Sequence, residues 1–255
     1  MTRSRRFLVV SAAQSPDARA ELERAVELTE ATLASEGDGF ELISSQVAVG
    51  GQLISVRGLA ATYSDVFLPL YGTHQAQNAA VAIAAVESFL GGGTQPLSDE
   101  LVIEGLGGAT SPGRLQLVGI EPSVFVDAAH NPHGAAALAA ALGTYFNFDE
   151  IAFVIGILAD KDASGIVSAL APIPGAFFVT QSQSDRSIAA DDLADTIAAQ
   201  VGDERVFRFD DLVGAVDAAR TWADESPKRA VVITGSITLV GEALALSEAG
   251  EWMTP

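Results

Sequence analysis

Apolar positions along the chain fall into two regimes. In the first, strand-like and helix-like patterns follow one another irregularly. Phe7, Leu8, Val9 and Val10 run without a break and predict a buried strand over residues 7–11. Ser15 and Pro16 then supply a helix cap and a first turn, and Leu22, Val26, Thr29 and Leu33 share one helical face. That spacing predicts a helix reaching to the glycines at 37 and 39. Gly50-Gly51 separates the apolar runs 42–49 and 53–56, the pattern of a hairpin, and 66–70 reads as a further strand. Residues 73–90 read as a helix with Ala76, Ala79, Ala80, Ile83, Val86 and Leu90 as its stripe.

The second regime is regular. Gly91-Gly92-Gly93 breaks the pattern, 98–104 reads as a short helix, and the Gly-, Ser- and Pro-rich stretch from 105 to 112 reads as a connector. Strands are then expected at 115–120, 124–127, 151–157, 176–180, 205–209 and 230–234. Helices are expected at 133–145, 163–170, 190–201, 212–223 and 237–246. Near-continuous apolar strands alternating with helices argue for an α/β fold, a mostly parallel sheet covered on both faces. The organisation expected is a first portion, 1–90, a linker, 91–112, and a second domain, 113–255.

Composition narrows the function classes. The 255 residues are 49% apolar and 18% charged, with a mean hydropathy of +0.31, which is not the make-up of a disordered chain. Apolar stretches such as 79–86 fall well short of the roughly 20 residues a membrane helix needs. Fourteen basic against 33 acidic residues leave a net charge of −19, a field that repels nucleic acid and anionic lipid. The absence of cysteine removes disulfides, thiolate metal sites and a cysteine nucleophile. Residues 1–6 are basic, but the apolar run behind them is too short for a signal peptide, so a soluble cytoplasmic protein without nucleic-acid or membrane partners is expected.

Candidate chemistry is expected just past the strand ends, where open α/β sheets bind ligands. Asp127, His130 and Asn131 follow one predicted strand, Gly156 and Asp160-Lys161-Asp162 a second, Thr180 and residues 182–186 a third, Asp210-Asp211 a fourth, and Thr234-Gly235-Ser236 a fifth. Arg114 stands where the linker enters the second domain; it suits a bidentate phosphate clamp or an ordinary ion pair with the abundant acids. His130 and Asn131 precede Pro132 at a helix start, either an anion site or a plain cap. His130 and His133 are three apart, but a third metal ligand is missing. His74 and Asn78 lie one turn apart on the 73–90 helix, with Thr73 as the expected cap. Ser236 can cap the last helix or meet a carboxylate. A phosphate-binding P-loop needs Gly-Lys-Ser/Thr. The two lysines, Lys161 and Lys228, follow Asp160 and Pro227, so the sequence has no such site; Gly105-Leu106-Gly107-Gly108 does not complete a dinucleotide fingerprint.

In combination these segments resemble the folylpolyglutamate synthase / dihydrofolate synthase family of the Mur ligase superfamily. The resemblance rests on Leu68-Pro69-Leu70-Tyr71-Gly72-Thr73-His74-Gln75-Ala76-Gln77-Asn78-Ala79, on Pro112-Gly113-Arg114-Leu115, and on Asp127-Ala128-Ala129-His130-Asn131-Pro132-His133-Gly134. Gly156 with Asp160-Lys161-Asp162, and Thr234-Gly235-Ser236, complete an ordered series covering about residues 7–246. The resemblance implies a Rossmann-like Mur ligase C-terminal domain, preceded by the β-rich and helical end of the central ATPase domain. It covers only the back part of the family pattern; the P-loop, magnesium ligands and most of the pterin site have no counterpart.

The activity it implies is ATP-dependent addition of L-glutamate to dihydropteroate or to folylpolyglutamate through an acyl phosphate. ATP and Mg2+ are the implied cofactors, with the metal ligands outside this chain, and the N-terminal ATPase portion is an implied partner. Carried over by motif, Asn78, Arg114 and Asp127 contact ATP. His130, Ser236 and Lys161 hold the incoming glutamate, and His130 is the candidate for a catalytic role. The chain is expected to be inactive without the P-loop portion. The alternatives are a non-catalytic nucleotide- or glutamate-binding protein of the same descent, and part of a cell-wall Mur ligase.

Overall fold

The computed structural model describes residues 7–250 and Trp252, and the basic stretch at 1–6 lies outside them. The chain divides into two compact units, with the boundary between Thr110 and Ser111.

In the first unit, β1 (Leu8–Ser11) and β2 (Thr32–Ser35) form a two-stranded parallel sheet joined by α1 (Pro16–Thr29). The helix expected to run past Leu33 stops at Thr29. Glu30 turns left-handed (φ 52°), and the Ala31 N–H returns to the Val26 carbonyl at 3.1 Å. Thr32 and Leu33 then pair with Leu8 and Val9, because a parallel neighbour offers their backbone groups partners that a further helical turn in solvent does not. The antiparallel sheet β3 (Glu41–Ala48), β4 (Gly51–Arg57), β5 (Thr62–Leu68) contains the expected hairpin. It packs Ile54, Val56, Tyr63, Val66 and Leu68 against Ala76, Ala79, Ala80, Ile83 and Ala84 of α2 (Thr73–Gly91). Within the stretch read as linker, Asp99–Gly107 forms α3, and its Val102 belongs to this core.

The second unit is a six-stranded sheet in the order β10-β9-β8-β11-β7-β6. Its elements are β6 (Gln116–Ile120), β7 (Ser123–Asp127), α4 (Pro132–Tyr145), β8 (Glu150–Ile155), α5 (Ala163–Leu170), β9 (Gly175–Val179), α6 (Ala190–Val201), β10 (Val206–Arg208), α7 (Leu212–Asp224), β11 (Arg229–Thr234) and α8 (Ile237–Ala249). All the strands are parallel except β6, which pairs antiparallel with β7. α4, α5 and α6 pack side by side in chain order, and α7 packs beside α8. The core under α7 and α8 gathers Val126, Val154, Phe178, Val231 and Ile233 from four strands with Leu212, Val216, Leu239 and Val240.

The mostly parallel sheet flanked by helices agrees with the reading of the sequence. The last strand enters between β7 and β8, so the loops that follow β7, β11 and β8 become neighbours.

Candidate functional site

Arg114 sits on a turn whose backbone is forced into unusual conformations: Gly113 has φ 69° and Leu115 φ 43°. Four hydrogen bonds hold that turn. The Arg114 N–H donates to the Ser111 carbonyl at 3.1 Å, and the Gly113 N–H to Gln116 Oε1 at 3.0 Å. Ala128 N–H donates to the Gly113 carbonyl at 2.7 Å, and Leu115 N–H to Asp127 Oδ2 at 2.8 Å. Arg114 itself is exposed, and its guanidinium makes no ion pair or hydrogen bond among the described residues.

Asp127, at the end of β7, is 8% exposed. Its second oxygen, Oδ1, accepts from the Ala129 N–H at 2.9 Å. Burial pushes the carboxyl above its ordinary range, while the Leu115 and Ala129 N–H groups and the Arg114 charge pull it back. One carboxylate thus ties the Arg114 turn to the loop that carries His130.

The His130 ring is half-buried, with Nδ1 2.8 Å from the Ala128 carbonyl. A carbonyl only accepts, so Nδ1 carries the proton and Nε2 of the neutral ring is left as an acceptor. Asn131 caps α4, accepting from Gly134 N–H at 2.8 Å, and His133 lies on the first turn of that helix. Gly235 N–H donates to the Ala129 carbonyl at 3.1 Å, which joins this loop to the one after β11.

Ser236 is 1% exposed, and its hydroxyl caps α8 by accepting from Thr238 and Leu239 N–H at 3.1 and 3.5 Å. The preceding Gly235 has φ 103°, and a Cβ there would lie 2.7 Å from the Gly156 carbonyl oxygen. The buried hydroxyls of Thr234 and Thr180 have no hydrogen-bond partner among the described residues.

Lys161 follows β8 and is ion-paired to Asp160 at 2.8 Å; Arg186 meets the other oxygen of the same carboxylate at 2.7 Å. Hydrogen bonds from Lys161 and then Arg186 hold the Asp160 carboxyl down at about 2. Asp162 caps α5 and Asp211 caps α7. Asp127, His130, Ser236 and Lys161 therefore stand at or just past the C-terminal ends of three adjacent strands, β7, β11 and β8, and Arg114 on the turn that enters β6, the neighbour of β7. A cavity of about 410 Å³ between the loops after β9 and β10, lined by Gln181, Ser182, Asp210, Asp211 and Glu242, includes none of them.

Asn78 belongs to the first unit. It is exposed on α2 and donates Nδ2 to Gln75 Oε1 at 3.3 Å. The α2 cap is Gly72 (φ 98°) rather than the expected Thr73, because the chain enters the helix through a backbone conformation that suits glycine. Gln52, fully buried in β4, fixes that entry by donating Nε2 to the Leu70 and Gly72 carbonyls at 2.8 and 3.1 Å.

Glu87, buried in α2, accepts from Leu59 N–H at 2.5 Å, Ala60 N–H at 3.2 Å and the Tyr63 hydroxyl at 2.7 Å. Tyr63 in turn accepts from Leu97 N–H at 2.9 Å, and burial with the Glu87 bond raises its hydroxyl to about 12. Sequence reasoning passed over Gln52 and Glu87. The available signal was a polar residue at an apolar phase: Gln52 alternates with Ile54 and Val56, and Glu87 continues the stripe of Ala76, Ala80, Ile83 and Ala84.

Residues 113–237 match the family described as Mur ligase, glutamate ligase domain. The dihydrofolate synthase/folylpolyglutamate synthase of Mycobacterium tuberculosis is 39% identical over 85% of this chain and 47% of its own length. The protein of the same name from Bacillus subtilis is 28% identical over 92% of this chain and 53% of its own length. A solved structure described as Mycobacterium tuberculosis folylpolyglutamate synthase complexed with ADP superposes with a TM-score of 0.90 at 38% identity, covering 94% of this chain and 55% of that one. The chain spans about half the length of these curated relatives.

Proposed function

We propose, from a chain whose residues 113–237 belong to the Mur ligase glutamate ligase family, that it supplies the glutamate-joining half of an ATP-dependent folate ligase. The reaction is addition of L-glutamate to dihydropteroate, to folylpolyglutamate, or to both. The folate carboxylate attacks the terminal phosphate of ATP, releasing ADP and leaving an acyl phosphate. The glutamate amine attacks the acyl carbon, and the tetrahedral intermediate expels phosphate to leave the amide. The observation that carries the reading is the unpaired Arg114 guanidinium on a turn sewn to the His130 loop, in a chain of which 85% is 39% identical to part of a named folate ligase.

Arg114 neutralises charge on the transferring phosphoryl group, where positioning and electrostatics do most of the catalytic work. Asp127 and Asn78 hold the nucleotide. For Asp127 the geometry supports doing so by fixing the Arg114 turn, since both its oxygens already accept backbone N–H groups. His130 Nε2 is assigned the role of accepting a proton from the attacking amine, a reading supported by the Ala128 carbonyl taking up Nδ1. Ser236 serves the glutamate through the α8 N-terminus it caps, and Lys161 takes a glutamate carboxylate in exchange for Asp160.

ATP chemistry of this class uses a divalent ion to neutralise phosphate charge. Among the described residues no group of three or more His, Asp or Glu is placed to hold a metal, and the reading gives the ion's ligands and the P-loop to the part of the relatives' length that this chain does not match. The test is Arg114→Ala in a protein that joins this chain to the remaining half of a relative. Glutamate-dependent ATP turnover is expected to fall by about 100-fold or more with the far-ultraviolet spectrum unchanged. Unchanged turnover and unchanged ATP dependence overturn the phosphate role.

A further inference from the structure

The loops after β8 and β9 carry a charge cluster that runs against the composition of the chain. With 14 basic residues against 33 acidic ones, a cation shared between two acids is the arrangement that composition favours. Arg208 meets Asp191 and Asp195 in this way, and Arg229 meets Glu150 and Glu225. Asp160 reverses it. Its Oδ2 lies 2.8 Å from Lys161 Nζ and its Oδ1 2.7 Å from an Arg186 guanidinium nitrogen. No other carboxylate among the described residues is ion-paired to two cations.

The backbone brings Arg186 there. Ala159 N–H donates to the Arg186 carbonyl at 2.7 Å, and Ile188 N–H to the Ile157 carbonyl at 2.9 Å. Leu158 and Ser187 form an antiparallel bridge between these two bonds. Lys161 N–H donates to the Leu158 carbonyl at 3.0 Å, which fixes the turn that carries the lysine. Segments 157–161 and 186–188 are therefore stitched together by main-chain bonds, and both cations are delivered to one carboxylate.

A second cation has a use if the first must leave. Exposed ion pairs are weak, so Lys161 gives up Asp160 for a substrate carboxylate at little cost in contact. The greater cost is that the Asp160 carboxylate is left bare beside an incoming anion, and like charges at that range repel. Asp160 does not escape by taking up a proton. Lys161 and then Arg186 hold its carboxyl down at about 2, and an unperturbed Asp is also ionised at neutral pH. Arg186 meets the oxygen that Lys161 does not use, and its planar fork has further N–H donors to offer.

We propose that Arg186 is a positioning residue for the glutamate site: it retains and neutralises Asp160 while Lys161 exchanges that carboxylate for one of the substrate's. The inference rests on the reading of Lys161 as a glutamate contact.

The sequence has two lysines, and they stand at opposite ends of the sheet. Lys161 lies past the end of β8, and Lys228, paired to Asp149, immediately precedes β11. Lysine isotopically labelled at Cε therefore gives this chain two side-chain NMR signals, one in the site and one as its control. Titration with L-glutamate at constant ionic strength is expected to move the Lys161 signal along a saturating curve and to leave the Lys228 signal still. In Arg186→Gln the half-saturating glutamate concentration is expected to rise about fivefold, the scale of one exposed ion pair. The circular dichroism is expected to stay unchanged, since the Arg186 side chain is 64% exposed. In an Asp160→Asn background, which removes the charge that Arg186 covers, the same Arg186→Gln change is expected to have no effect. A general loosening of the two loops does not produce that difference between backgrounds. Equal half-saturation in wild type and Arg186→Gln overturns the proposal and leaves the Lys161 reading standing. So does an equal rise in both backgrounds, which makes Arg186 a direct contact of the glutamate. A wild-type Lys161 signal that glutamate does not move removes the Lys161 reading, and the proposal with it.

Discussion

Asp127 and Tyr63 show how much a single buried polar group can hold. Asp127→Ala leaves the Leu115 and Ala129 N–H groups without their acceptor, which is expected to cost about 2–4 kcal/mol in urea unfolding. Its raised pKa sets the sign of a pH effect. The native state holds the Asp127 proton more tightly than the unfolded chain does. Its titration therefore adds stability that is full below the ordinary Asp range of about 4 and is lost as pH rises through the folded value. The stability advantage of the wild type over Asp127→Asn is expected to shrink across that rise, as read by urea titrations at stepped pH. Tyr63 gives the alkaline counterpart. A phenolate absorbance step near pH 12 is expected in the wild type and absent in Tyr63→Phe.

At the scale of elements, the entry to α2 depends on one side chain in another element. Gln52→Leu removes the donor to the Leu70 and Gly72 carbonyls. It is expected to cost about 1–3 kcal/mol and to speed amide exchange at Gln75, whose N–H bonds to the Gly72 carbonyl at 2.9 Å. The elements themselves were largely legible. Runs such as Ile151-Ala152-Phe153-Val154 announce a buried strand, and Asn131, Asp162, Asp211 and Ser236 announce the helices they cap.

The end of α1 was not legible, because Leu33 keeps the helical phase of Leu22 and Val26 while lying in β2. Nor was the service done by Gln52 and Glu87. The backbone groups they satisfy lie 18 to 28 residues away, and local pattern carries no information about them. The site residues were legible as types at strand ends. That Asp127 binds the Arg114 turn rather than standing free, and that Lys161 already has a carboxylate partner, depended on geometry.

At the scale of the whole molecule, charge and topology carry the consequences. A net charge of −19 strains the compact state by self-repulsion. Raising sodium chloride from low to about 0.5 M is therefore expected to raise the thermal midpoint by roughly a few degrees, read by calorimetry. No helix among the described residues is long and apolar enough to cross a membrane. The sheet order of the second unit governs how it can be made. The β6–β7 hairpin joins the β8–β9–β10 block in the sheet only through β11, the last strand of the unit. A ribosome delivers β6 through β10 first, and each of those pieces must wait, half-finished, for residues 229–234 before the sheet exists as one body. A nascent chain released early by a stop codon before Arg229 would carry two sheet fragments with exposed edges, which is prey for proteases and chaperones rather than a smaller version of the same domain.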